Sequence, residues 1–155
     1  MQFINYFFAS AVSFLGLLIG IILISIAPEE QKPLSKYFDL IRKILLLVIF
    51  IFLMFYYFNN TLYLFILFVY LIFAAIIEYR IHDLLRKSMV TYILLGILFY
   101  LSKNNINLFV IESSLILLHG VMTASLLYDG KSKNYFRLLL FNIGFLIIAN
   151  VLYLI

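Results

Sequence analysis

FINYFFASAVSFLGLLIGIILISIA, Phe3 to Ala27, contains no charged side chain. A helix needs about 20 apolar residues to cross the ~30 Å hydrocarbon core of a bilayer, so this stretch alone is long enough to span it. It does not read as a cleaved leader: the apolar run is too long, no basic segment precedes it, and the positive charges follow it. It predicts a retained first membrane helix.

The rest of the chain repeats the pattern. Of 155 residues, 66% are hydrophobic and only 12% charged, and the mean hydropathy is +1.17. Globular domains are roughly 45–50% apolar and about 25% charged. A chain this short cannot hide such an excess in a core, because small domains leave much of their surface exposed. With 3–27, the apolar stretches 40–58, 61–79, 88–102, 106–127 and 137–155 make six. The expected fold is all-α: one domain over 1–155, a polytopic bundle of six transmembrane helices. The stretch 88–102 is short for a bilayer at ~1.5 Å rise per residue. It has to borrow Leu84 and Leu85, thin the bilayer locally, or end inside the bundle.

Charge sets the expected sidedness. Lys32, Lys36, Arg42 and Lys43 precede or open the second stretch; Arg80, Arg86 and Lys87 separate the third and fourth; Lys131, Lys133 and Arg137 separate the fifth and sixth. Of the eleven basic residues, only Lys103 falls on the other side. Cytoplasmic connections carry the Lys/Arg excess, which puts both termini outside a cell membrane. The basic loops then lie beside lipid headgroups and predict anionic lipid as a partner. No basic arm or aromatic-basic platform points to nucleic acid. The absence of cysteine excludes disulfides and thiolate chemistry. Tryptophan is absent too, and all of the twelve tyrosines but Tyr70 and Tyr92 sit near expected helix ends, as amphipathic rings do at membrane interfaces.

Connections are short. Asn59-Asn60 reads as a tight turn, and the sequon Asn59-Asn60-Thr61 lies too near the membrane to be more than that. The longest loop is expected from Pro28 to Asp39. Loop lengths do not mirror between the two halves, so an inverted repeat has no support. On the first helix, Ala9, Ser13, Gly16 and Gly20 form a small-residue stripe with a GxxxG pair, the pattern that lets helix backbones approach closely in lipid. The stripe serves either packing within the chain or a homo-oligomer seam.

Two polar groups of residues remain. In IESSLILLHGVMTAS, Ile111 to Ser125, helical periodicity puts Glu112, His119 and Thr123 on one face. An antiparallel hairpin through Asp129-Gly130 would bring Glu112 level with Asn150, and His119 level with Gly144 near Asn142. Such a set can be interhelical glue at ~0.6 kcal/mol per hydrogen bond, a proton or substrate path, or a ligand pocket. Alternatively, Glu112 reaches outward to Lys103. The second group is EYRIHDLLRK, Glu78 to Lys87. Glu78, His82 and Asp83, joined by Glu29 or Glu30, are weak candidates for a divalent metal. The stretch lacks the two histidines of HExxH. Its plainer reading is a solvated helix end with local pairs, Glu78 with Arg80 or His82 and Asp83 with Lys87.

No catalytic residue or cofactor is implied. The leading expectation is a non-catalytic membrane module, a subunit or sensory protein that works through helix association. The alternative is a small transporter or channel for protons, cations or a small solute, built on Glu112 and His119 and working as a homo-oligomer. The third is a membrane enzyme acting on lipid at the cytoplasmic face through Glu29, Glu30, Glu78, His82 and Asp83.

Overall fold

The computed structural model describes residues 2–128 and 132–155, with side chains except at 132–134. The described residues form α1 (Phe3–Ile26), α2 (Pro28–Tyr56), α3 (Thr61–Arg80), α4 (Leu84–Leu101), α5 (Ile106–Leu127), α6 (Ser132–Asn142) and α7 (Gly144–Leu154). A 3-10 turn, Ser102–Asn104, continues α4. Short polar side chains set several starts by accepting the first free amides. Asn60 accepts from Tyr63 N, Asp83 from Leu85 N, and Asn105 from Asn107 N and Leu108 N.

Five segments are long and apolar enough to cross a membrane: Phe3–Ile26, Thr61–Arg80, Leu84–Asn104, Ile106–Leu127 and Tyr135–Leu154. The short stretch expected at 88–102 gains length at both ends, from Leu84 and Leu85 and from the 3-10 turn. The expected sixth span at 40–58 is not among the five. It is part of the longer α2, which also takes in the loop expected from Pro28 to Asp39. Pro28 occupies the first helical position, where its missing N–H costs nothing, and Glu29 and Glu30 complement the positive helix end. Pro33 removes only one early backbone bond. The expected last helix, 137–155, is divided at Ile143 into α6 and α7. The Asp129-Gly130 turn lies outside the described residues.

Glycines fix the packing. A Cβ at Gly16 would overlap the Leu117 carbonyl, and one at Gly20 would overlap the Val121 carbonyl and come 2.8 Å from Ala124 Cβ. On the facing helix, a Cβ at Gly120 would lie 3.0 Å from both Gly16 C and Leu17 N. So α1 and α5 touch backbone to backbone, and Ser13 Oγ donates across the seam to Ser113 O at 3.1 Å. Ser13, Gly16 and Gly20 are buried inside the chain, with Ala9 at the edge of the same core. Likewise, Gly96 brings α4 against α7, where a Cβ would sit 2.9 Å from Phe145 O.

These contacts also give helix directions. Residue numbers rise together along α1 and α5, and along α4 and α7. α2 runs the other way beside α5: Gln31 Nε2 donates to Ser125 O and Tyr128 O, while Tyr57 Oη donates to Leu101 O at the far end. Tyr6 and Tyr153 pack at a tilt at that far end, with Tyr57 stacked on Tyr63 and Lys103 over Tyr100. Arg42, Glu78 and Lys87 meet at the opposite end. α3 is the outermost helix and buries only Leu67, Ala74 and Ile77.

Alanine at Gly16 or Gly20 must therefore push two backbones apart, and overpacking of this kind costs about 1–3 kcal/mol or more. Alanine at Gly144 meets only the movable end of Ile93, at 2.9 Å, and should cost much less. Thermal unfolding of the three variants in detergent checks the order. A Gly16→Ala protein as stable as Gly144→Ala contradicts the packing.

Candidate functional site

Three side chains of α5 form a buried polar face: Glu112 and His119 are 0% exposed and Thr123 is 2%. The face points inward because the α1 contact on one side and α2 on the other enclose it. Thr123 Oγ1 donates to His119 O at 2.8 Å and lies 3.4 Å from His119 Nδ1. Tyr92 reaches in from α4, its ring centroid 5.8 Å from that of His119. Its hydroxyl rests over Gly120, in the space a Cβ would take, and beside Thr123. Among the described residues, no protein group is in hydrogen-bonding position for either carboxyl oxygen of Glu112 or for His119 Nε2.

Beyond Thr123, a gap too narrow for a water molecule, lined also by Ser88, leads to Arg42. Arg42 is 2% exposed. It is buried because it lies on the same stripe of α2 as Leu46, Ile49 and Leu53. Its Nη2 is 2.7 Å from Glu78 Oε1 and 3.1 Å from Asp39 Oδ1. Lys87 Nζ, also buried, is 3.0 Å from the same Glu78 oxygen, and Lys43 joins Asp39 and Glu78. A buried ion is tolerable only when paired and hydrogen-bonded, and this five-residue network meets that condition. Partial burial disfavours the charged form of Asp39. Hydrogen bonds from Lys43 and Arg42, and their positive charges, outweigh that and hold its carboxyl below the usual carboxylate range.

Several expected pairings differ. Asn150 does not meet Glu112: its amide donates to Ser10 Oγ at 3.1 Å and Leu146 O at 2.8 Å. Gly144 faces Ile93 of α4, not His119. Asn142 is buried, and its amide donates to Leu138 O at 2.7 Å. The reason is the glycine contacts: α5 takes α1 and α2 as its main neighbours, leaving the last helix to α4 and α1. Nor does Glu112 reach Lys103, whose ammonium sits 3.8 Å over the Tyr100 ring.

The expected cytoplasmic cluster does not assemble. Glu29 and Glu30 lie in the first turn of α2, and Glu78 belongs to the Arg42 network. His82 and Asp83 lie in the α3–α4 link, where Asp83 caps α4 and stands 3.6 Å from Arg86. Among the described residues, no three metal-ligating side chains come together. The expected local pairs assumed one unbroken helix, but the chain leaves helical geometry at Ile81, so i, i+4 spacing no longer applies across it. Lys87 turns to Glu78 instead of Asp83.

Arg42, Lys87, Tyr92 and Ser10 were not singled out as site residues. Arg42 had a signal, since it falls in register with the apolar stripe that follows it. No protein-family model, curated protein or solved structure matches this chain.

Replacing Arg42 with methionine leaves Asp39 and Glu78 facing each other with only the lysines to compensate. The loss should be on the order of 2 kcal/mol, below the 3–5 of a fully buried broken pair. Because the folded Asp39 carboxyl is lowered, its contribution is intact above the ordinary value of 3.8 and fades as pH falls below that. The gap in thermal stability between wild type and Arg42→Met should therefore narrow in acid. A gap that is constant from neutral pH to pH ~3 contradicts the assignment.

Proposed function

We propose that the chain is a six-span membrane protein with both termini outside, and that it moves protons along the inner face of α5. Helix directions support six spans. α2 lies alongside α5 in reverse for the length of both, and its charges gather at one end, where Arg42 and Lys43 are neutralised by Asp39 and Glu78. Basic residues collect at that end and tyrosines with Lys103 at the other, the asymmetry of a membrane protein with its basic end in the cytoplasm.

The observation that carries the proton reading is Glu112. A carboxyl used as interhelical glue has a partner, and a buried polar group without one costs about 1–3 kcal/mol. Glu112 is fully buried, and among the described residues no protein group meets either oxygen. Unpaired ionisable groups inside membrane bundles are a common mark of proton pathways. Two turns further, about 10 Å, His119 offers a ring that takes a proton on one nitrogen and releases it from the other. Thr123 and Tyr92 stand beside it, and the Arg42 network closes the cytoplasmic end. Between Glu112 and His119, transfer needs a bridging water or a side-chain swing. Arg42 opposes the passage of a metal cation, which would meet a fixed guanidinium at the end of the path.

A non-catalytic subunit is the second reading, and α3 favours it. Phe65, Phe68, Ile72 and Phe73 leave its outer face free for a partner helix. The lipid-enzyme reading is not carried forward, since its five residues are dispersed.

Two measurements test these proposals. A reporter fused after Ile155 should score external; a cytoplasmic score rejects the topology. In proteoliposomes given a pH step, Glu112→Gln should lower proton flux by about a hundredfold, or to background, while thermal stability stays nearly unchanged. Equal flux through both proteins assigns Glu112 to structure alone.

A further inference from the structure

A groove on the outside of the bundle points to a bound lipid. At the basic end, a hollow of about 560 Å³ opens between the α3–α4 link and α6, lined by Arg80, His82, Asp83 and Arg86, with Met89 and Phe141 as its inner wall. Met89 and Phe141 also line a second hollow of about 410 Å³, which continues between α4 and α7 along Ile93, Gly144 and Ile147. The two hollows adjoin at Met89 and Phe141, the first carrying the charged side chains and the second lined by apolar ones. Arg137 is not part of the lining but lies beside it, its guanidinium carbon 5.4 Å from the Phe141 ring. Among the described residues, Arg80 and Arg137 are in no ion pair, and Arg86 has only Asp83 at 3.6 Å. The break between α6 and α7 at Ile143 lies on the second hollow.

We propose that the two hollows together hold one phospholipid with an anionic headgroup, its phosphate between Arg80, Arg86 and Arg137 and one acyl chain along Ile93, Gly144 and Ile147. The inference rests on the membrane reading and is independent of the proton path. Charge complementarity selects the occupant. Three guanidiniums against one carboxylate leave the charged end positive, and guanidinium presents paired donors that fit phosphate oxygens. The apolar continuation fits a hydrocarbon tail and has no polar lining that would suit a peptide or a free phosphate. The Gly144 backbone forms its floor, where any side chain would press on Ile93.

The test uses the full chain in nanodiscs of equal phosphatidylglycerol and phosphatidylcholine, with retained lipid read by native mass spectrometry. Each engaged arginine near a surface favours anionic lipid about fivefold. Wild type should therefore keep one phosphatidylglycerol in strong preference to phosphatidylcholine. Joint substitution Arg80→Gln, Arg86→Gln and Arg137→Gln should bring the preference close to even. Ile147→Trp, placed at a half-exposed rim position, should lower retention of both lipids without changing the fold or the proton flux. Three results overturn the proposal: equal retention of the two lipids by wild type, a preference that survives the triple substitution, or retention that is unaffected by Ile147→Trp. The last would mean surface attraction without a groove. Displacement of the lipid by millimolar inorganic phosphate would reject it as well, in favour of a free-anion site.

Discussion

The contact between Gly16 and Gly20 of α1 and Gly120 of α5 is the constraint on which the other packing depends. Lipid gives apolar helices no reason to leave it, so association has to come from close van der Waals contact and hydrogen bonds between helices. Without Cβ atoms, the two backbones approach until carbonyl oxygens fill the space that side chains would take. This places α5 in the middle of the bundle, between α1 and α2, and it turns the Glu112–His119–Thr123 face inward. The last helix, displaced from α5, finds its own glycine contact at Gly96 of α4. The same close approach leaves room for the Tyr92 hydroxyl over Gly120, so one small residue serves both the seam and the polar interior.

The two polar regions differ in how their burial is compensated. In the Arg42 network, each charge has an opposite charge within 4 Å: Arg42 with Glu78 and Asp39, Lys87 with Glu78, Lys43 with both acids. That is the arrangement expected of groups that stabilise a fold. In the interior, the Glu112 carboxyl and His119 Nε2 have no protein partner among the described residues, whereas the Asn150 amide donates to Ser10 Oγ. The two sets thus differ in charge compensation: the acids and bases of the first neutralise one another, while Glu112 is buried without a counter-charge among the described residues.

Helix existence was legible from hydropathy, because each stretch long enough to cross a bilayer leaves a signal that no tertiary contact has to supply. The GxxxG pair was equally local. Which helices neighbour each other was not legible. The expected Glu112–Asn150 meeting followed from sequence adjacency, and adjacency lost to the glycine contacts, which favour α1 against α5 over a simple hairpin. Pro28 to Asp39 was read as a loop because prolines and charges are loop residues on average, yet Pro28 sits at a helix start, where it costs nothing. Arg42 was read as a loop charge by sign alone. Its position in register with Leu46, Ile49 and Leu53 would have placed it on the buried face.

The placement of Arg42 bears on what the interior can pass. A guanidinium stays charged at any pH a cell meets, so the basic end of the α5 face carries a fixed positive charge that Glu78 and Asp39 balance but do not remove. A metal cation approaching from Thr123 would have to pass within a few ångströms of it through a gap too narrow for water. On the proton-path proposal, the fixed charge would oppose a metal cation and the narrow gap would oppose a larger solute.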